Sequence, residues 1–71
     1  RSVTPDQASR ISQAVKTVAM KLGEKTGRNE YGGVYGQLYR QFGITSYKDL
    51  PAHQFEEAMQ FLTDWSKQLE Q

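Results

Sequence analysis

Between Tyr31 and Phe42 the large apolar residues Tyr31, Val34, Tyr35, Leu38, Tyr39 and Phe42 fall at i, i+3, i+4, i+7, i+8 and i+11. That spacing puts all six on one side of a 3.6-residue helix and scatters them over both faces of a strand. It commits the middle of the chain to an amphipathic helix. Two further segments repeat the pattern. In "TPDQASRISQAVKTVAMKLG", Ala8, Ile11, Ala14, Val15, Val18, Ala19 and Leu22 trace one stripe. After Pro51, Phe55, Ala58, Met59, Leu62, Trp65 and Leu69 trace another, widened by Phe61.

The helix boundaries are written in capping residues. Thr4 can accept from the amides that follow, Pro5 loses no bond at the first helical position, and Gln7 completes a capping box. Gly23 is the expected stop of this first helix. "EKTGRN", residues 24 to 29, contains no apolar side chain and reads as a loop. Gly43 follows the last apolar residue of the second helix and suits its left-handed end. In "ITSYKDLP", Ser46 with Asp49 predicts a small capped turn, and Leu50 before a proline is kept out of helical geometry. The third helix is expected from about Pro51, with Glu56 and Glu57 favourably placed near the positive end of its dipole.

The reading is therefore an all-α fold, a compact three-helix domain with a tight, ordered connection between the second and third helices. A chain of 71 residues supports one small core, so residues 1–71 are expected to be one small helical domain. There is no cysteine for a disulfide framework or a thiolate zinc site, which fits a reducing compartment. No apolar run approaches membrane-spanning length, and the first residues lack the apolar segment of a signal peptide. The arginine at position 1 reads as the start of a module taken from a longer protein.

Charge is unevenly spread beneath a net of +1. Residues 1–48 sum to +5, whereas residues 49–71 sum to −4 because Asp49, Glu56, Glu57, Asp64 and Glu70 face only Lys67. Such an acidic third helix would repel phosphates, which excludes it as a groove-reading recognition helix. Catalysis finds no constellation. His53 is the only histidine, and with Glu57 it supplies too few ligands for a metal; "GRNEYGG" lacks the strand, lysine and hydroxyl of a phosphate-binding loop. A non-enzyme without cofactor or metal is the expectation.

Gly32, Gly33 and Gly36 are the anomaly of the second helix, since each costs roughly 0.8 to 1 kcal/mol relative to alanine. Bare backbone here lets another helix of the same chain pack closely, or is simply tolerated, with Gly32 and Gly33 at the frayed start of the helix, or forms a contact surface for a partner. The tyrosines raise a parallel choice between core packing and stacking on bases.

"LYRQFGITSYKDLPAHQFEEAMQFLTDW", residues 38 to 65, resembles the end of the small C-terminal domain of phage antirepressors and related phage regulators. The resemblance rests on Tyr39, Arg40, Phe42, Gly43, Ser46, Tyr47, Lys48, Asp49, Pro51, Phe55, Ala58, Leu62 and Trp65. A weaker similarity in helix pattern links the layout to C-terminal docking domains of phage single-strand annealing proteins. What these resemblances imply is the C-terminal module of a longer phage protein, in the cytoplasm of a bacterial host, that binds a protein partner or helps assemble an oligomer.

Two functional readings follow. In the first, Gly32, Gly36, Gln37 and Arg40, together with the basic side of the first helix, dock a protein partner. In the second, Lys16, Lys21, Lys25, Arg28 and Arg40 contact DNA phosphates while Tyr31 or Tyr47 stacks on a base. The second requires the loop at residues 24–30 to fold back toward Arg40, because only then do these cations form one patch.

Overall fold

A computed structural model describes all 71 residues and shows three α-helices: α1 (Pro5–Thr26), α2 (Tyr31–Phe42) and α3 (Phe55–Gln68). The molecule measures 37 × 20 × 19 Å, and α1, about 33 Å long, runs its full length. α2 and α3 both pack on α1. They meet each other chiefly through aromatic side chains, with Phe42 edge-on to Phe61 at 6.1 Å and Phe61 against Trp65 at 5.9 Å.

The expected capping of α1 is present in full. Thr4 Oγ1 accepts from the Gln7 amide at 3.1 Å, and the Gln7 side chain accepts from the Thr4 amide at 3.0 Å. The core gathers Ile11, Val15 and Val18 from α1, Val34 and Leu38 from α2, Leu50 from the connection and Phe55, Ala58 and Leu62 from α3. Tyr35, Tyr39, Phe42, Phe61 and Trp65 are half-buried around it. The predicted stripes therefore converge, except that Tyr31, at the first position of α2, lies beyond the end of the core and is 37% exposed.

The stop of α1 lies one turn later than Gly23. The helix continues to Thr26, and Gly27 ends it at φ 75°, donating its amide to the Gly23 carbonyl at 2.8 Å. Gly23 serves the reversal differently: a Cβ there would stand 2.9 Å from the Arg28 carbonyl oxygen. Absence of a side chain lets the returning chain cross close to α1. The loop thus shrinks to Gly27–Glu30, fixed by the Arg28 amide donating to Thr26 Oγ1 at 3.3 Å and the Tyr31 amide donating to Asn29 Oδ1 at 3.0 Å.

Gly43 ends α2 as expected, at φ 66°. Ser46 caps a 3₁₀ turn over Tyr47–Asp49 by accepting from the Lys48 amide at 3.3 Å. α3 begins at Phe55 rather than near Pro51, after a second 3₁₀ turn over Ala52–Gln54. Just ahead of this turn the connection is pinned over a long range. The first residues of the chain lie antiparallel to Leu50–Pro51: the Val3 amide donates to the Leu50 carbonyl at 2.9 Å and the Ala52 amide to the Arg1 carbonyl at 2.8 Å. These bonds hold Leu50 and Pro51 extended while burying Val3 and Leu50.

Candidate functional site

α2 presents two chemically opposite sides. Its inner side carries Val34 and Leu38, both almost completely buried. Flanking them, the Tyr35 ring lies 5.7 Å from that of Tyr39 and 5.5 Å from that of Tyr47. Burial raises the Tyr35 phenol above its ordinary value, partly offset by a hydrogen bond with Ser12. The tyrosines at 35, 39 and 47 are thus packing residues with hydroxyls at the rim, and the Tyr39 hydroxyl accepts from the Tyr47 amide at 3.2 Å.

The outer side is almost without side chains. Gly36 lies about 160° around the helix from Leu38. A Cβ on Gly32 would meet nothing within 4 Å, one on Gly33 would touch only the Glu30 carboxylate at 3.5 Å, and one on Gly36 only the Arg40 guanidinium at 3.7 Å. None of the three has a positive φ. Neither close packing within the chain nor backbone conformation therefore requires glycine here. Arg40 is the one long cation on this side, and it donates to Gln37 Oε1 at 2.9 Å.

The cations expected to form a phosphate-binding patch are dispersed. Lys16 and Lys21 differ by about 140° around α1, so they look in different directions. Lys21, expected among the phosphate-contacting cations, donates to Ser66 Oγ at 2.7 Å and forms an ion pair with Glu70, tying α1 to the end of α3. That pairing holds the Glu70 carboxyl below its ordinary value of 4.5. Lys25 is exposed in the last turn of α1. Arg28 donates to Glu30 at 3.2 Å, and Glu30 is in turn held low by a hydrogen bond from Thr26 and by Arg28. Arg28 and Arg40 sit at opposite ends of α2, a helix about 18 Å long, so the loop does not fold back toward Arg40. Tyr31 is exposed beside the loop, whereas Tyr47 has its ring against Tyr35 and the Lys48 ammonium 6.0 Å from its centre. His53 is exposed on the turn before α3, and no three His, Cys, Asp or Glu side chains stand close enough together to hold a metal ion.

A shallow groove runs between α2 and α3, about 330 Å³ in volume. Gln37 and Gln41 form its α2 lip, Asp64 and Gln68 its α3 lip, and Phe61 and Trp65 its floor. Asp64 accepts from Gln60 Nε2 at 2.7 Å. Residue spacing gives no hint of this groove, because its walls come from segments more than twenty residues apart and its floor reads as core. The only local signal is that Phe61 lies to one side of the main α3 stripe.

These features define a small three-helix module with a packed core and one bare, outward helix face. No helix of it is long and apolar enough to cross a membrane. The chain belongs to the ORF6C domain family, a phage-associated family whose model matches residues 2–71. No curated protein and no solved structure matches the chain. The match extends through α1 as well as the C-terminal half on which the sequence resemblance rests.

Proposed function

We propose that this ORF6C domain is a non-catalytic accessory module of a phage regulatory protein. It works in the host cytoplasm, docking a protein partner and supporting assembly through the outward side of α2. One observation carries the reading: Gly32 and Gly36 leave backbone bare where a side chain would fit freely. Gly36, inside the helix, costs roughly 0.8 to 1 kcal/mol relative to alanine, and Gly32, in the first turn, costs less; no contact within the chain offsets either. Contact with a second surface, which approaches most closely where there is no Cβ, supplies a reason for them.

The nucleic-acid reading loses its main support with the dispersal of Lys16, Lys21, Lys25, Arg28 and Arg40. Titration of labelled single-stranded and duplex DNA by fluorescence anisotropy at two salt concentrations separates the two readings. The expected result is no salt-dependent binding. Binding that weakens with salt and disappears in a folded Arg28→Glu/Arg40→Glu variant would replace docking by phosphate contact. For docking itself, a phage regulatory protein retained from infected-cell lysate by the wild-type domain should be lost from Gly32→Ala/Gly36→Ala. Retention by that variant would remove the outward face of α2 as the site.

A further inference from the structure

The outward side of α2 and the α3 lip of the groove carry unpaired charges of opposite sign. On the α2 side, Arg40 is bonded only to the neutral Gln37, with no carboxylate within ion-pair distance. On the α3 side, Asp64 is bonded only to the neutral Gln60, and Glu57, about two turns before it, has no cationic partner. The chain's two close ion pairs, Lys21 with Glu70 and Arg28 with Glu30, lie elsewhere. The outward side of α2 thus carries a cation and the α3 lip of the groove an anion, with Phe61 and Trp65 as the groove's floor.

A surface of that kind is complementary to itself under a two-fold axis, the commonest symmetry of small oligomers. We propose that the occupant of the groove is a second copy of this chain. In the pair, the outward side of α2 from one copy lies along the groove of the other. Arg40 of each copy then reaches Asp64 of its partner, and both contacts form twice. Shape agrees with charge. α2 carries no side chain at Gly32, Gly33 or Gly36 that would hold it away from the half-buried aromatic floor.

This inference rests on α2 being a protein-contact face and adds the identity of what covers it. Its test needs only the chain itself. Sedimentation equilibrium from micromolar concentrations to about 1 mM should show a monomer–dimer equilibrium that weakens as salt rises. Arg40→Asp and Asp64→Arg each place two like-charged pairs in the homodimer and should weaken it by at least about tenfold. Both positions are exposed, and circular dichroism checks that each variant is folded.

An equimolar mixture of Arg40→Asp and Asp64→Arg should dimerise again, as should the Arg40→Asp/Asp64→Arg double variant, because both restore opposite charges across the axis. A chain that stays monomeric to about 1 mM would overturn the proposal, as would a dimer indifferent to either reversal or one that the charge swap fails to restore. A monomeric result leaves the docking reading to its own test, capture of a phage protein by the wild-type domain but not by Gly32→Ala/Gly36→Ala.

Discussion

The two sides of α2 are built from the same twelve residues and obey different constraints. On the inner side every large side chain has a neighbour: Val34 and Leu38 are buried, and Tyr35 and Tyr39 pack against each other and close to Tyr47. On the outer side, side chains are missing where there is room for them. The inner side is explained entirely by folding, so substitutions there should act on stability. The outer side is unexplained by folding, so substitutions there should act on association and, in the case of the glycines, improve stability.

The sharpest break of that contrast comes from the inner side. Leu38→Ala should lower unfolding free energy by about 2 to 5 kcal/mol, read from urea denaturation. A much smaller loss would mean that α2 is loosely attached to α1. Gly23→Ala should destabilise by about 1 to 3 kcal/mol, because the new methyl meets the Arg28 carbonyl oxygen at 2.9 Å and the turn must shift. Gly36→Ala, the same chemical change on the outer side of α2, should instead stabilise by roughly 0.8 to 1 kcal/mol. Opposite signs for these two glycines are the clearest distinction between a glycine that folding uses and one that it leaves bare.

Smaller effects follow from the ion pair that ties α1 to α3. Glu70 has a folded pKa below 4.5, so its contribution is complete above that value and is lost as pH falls through the lowered one. Glu30 has the same sign. The urea midpoint should therefore fall between about pH 6 and about pH 3, and fall less in Glu70→Gln. An equal fall in the variant would show that Lys21 and Glu70 contribute nothing to stability. Tyr35 gives the weakest effect and the opposite sense. Its raised pKa favours the protonated phenol in the folded state, so stability declines only as pH rises above about 10, a loss that Tyr35→Phe should remove.

Much of the architecture was legible because local signals and tertiary packing agree. Thr4, Pro5 and Gln7 marked the start of α1, Gly43 the end of α2 and Ser46 the first 3₁₀ turn. Each of these acts on backbone groups within a few residues of itself. Gly23 misled because a glycine near a helix end has two uses. Only the path of the returning chain shows that Gly23 makes room for Arg28 while Gly27 supplies the left-handed cap. The bridge between Arg1–Val3 and Leu50–Pro51 lies just ahead of α3, and no pattern within residues 50–55 encodes that partner.

The candidate site divides the same way. The oddity of Gly32, Gly33 and Gly36 was visible, since helix propensity alone flags them. Whether space beside them was filled could be known only once α1 and α3 were in place. Lys21 reads in the sequence as one candidate phosphate contact among several, but Glu70, 49 positions away, claims it. The opposite charges of Arg40 and Asp64 were equally present in the sequence, yet the placement of one on the outward side of α2 and the other on the groove's α3 lip follows from both helices packing on α1.

Urea unfolding of Gly32→Ala/Gly36→Ala beside wild type, at concentrations low enough to keep both monomeric, tests most directly the claim that the outward face of α2 is left bare by the fold. The expected result is a rise in unfolding free energy of about 1 kcal/mol, most of it from Gly36 in the helix interior. A fall would contradict it, because it would mean that the chain itself needs those two glycines.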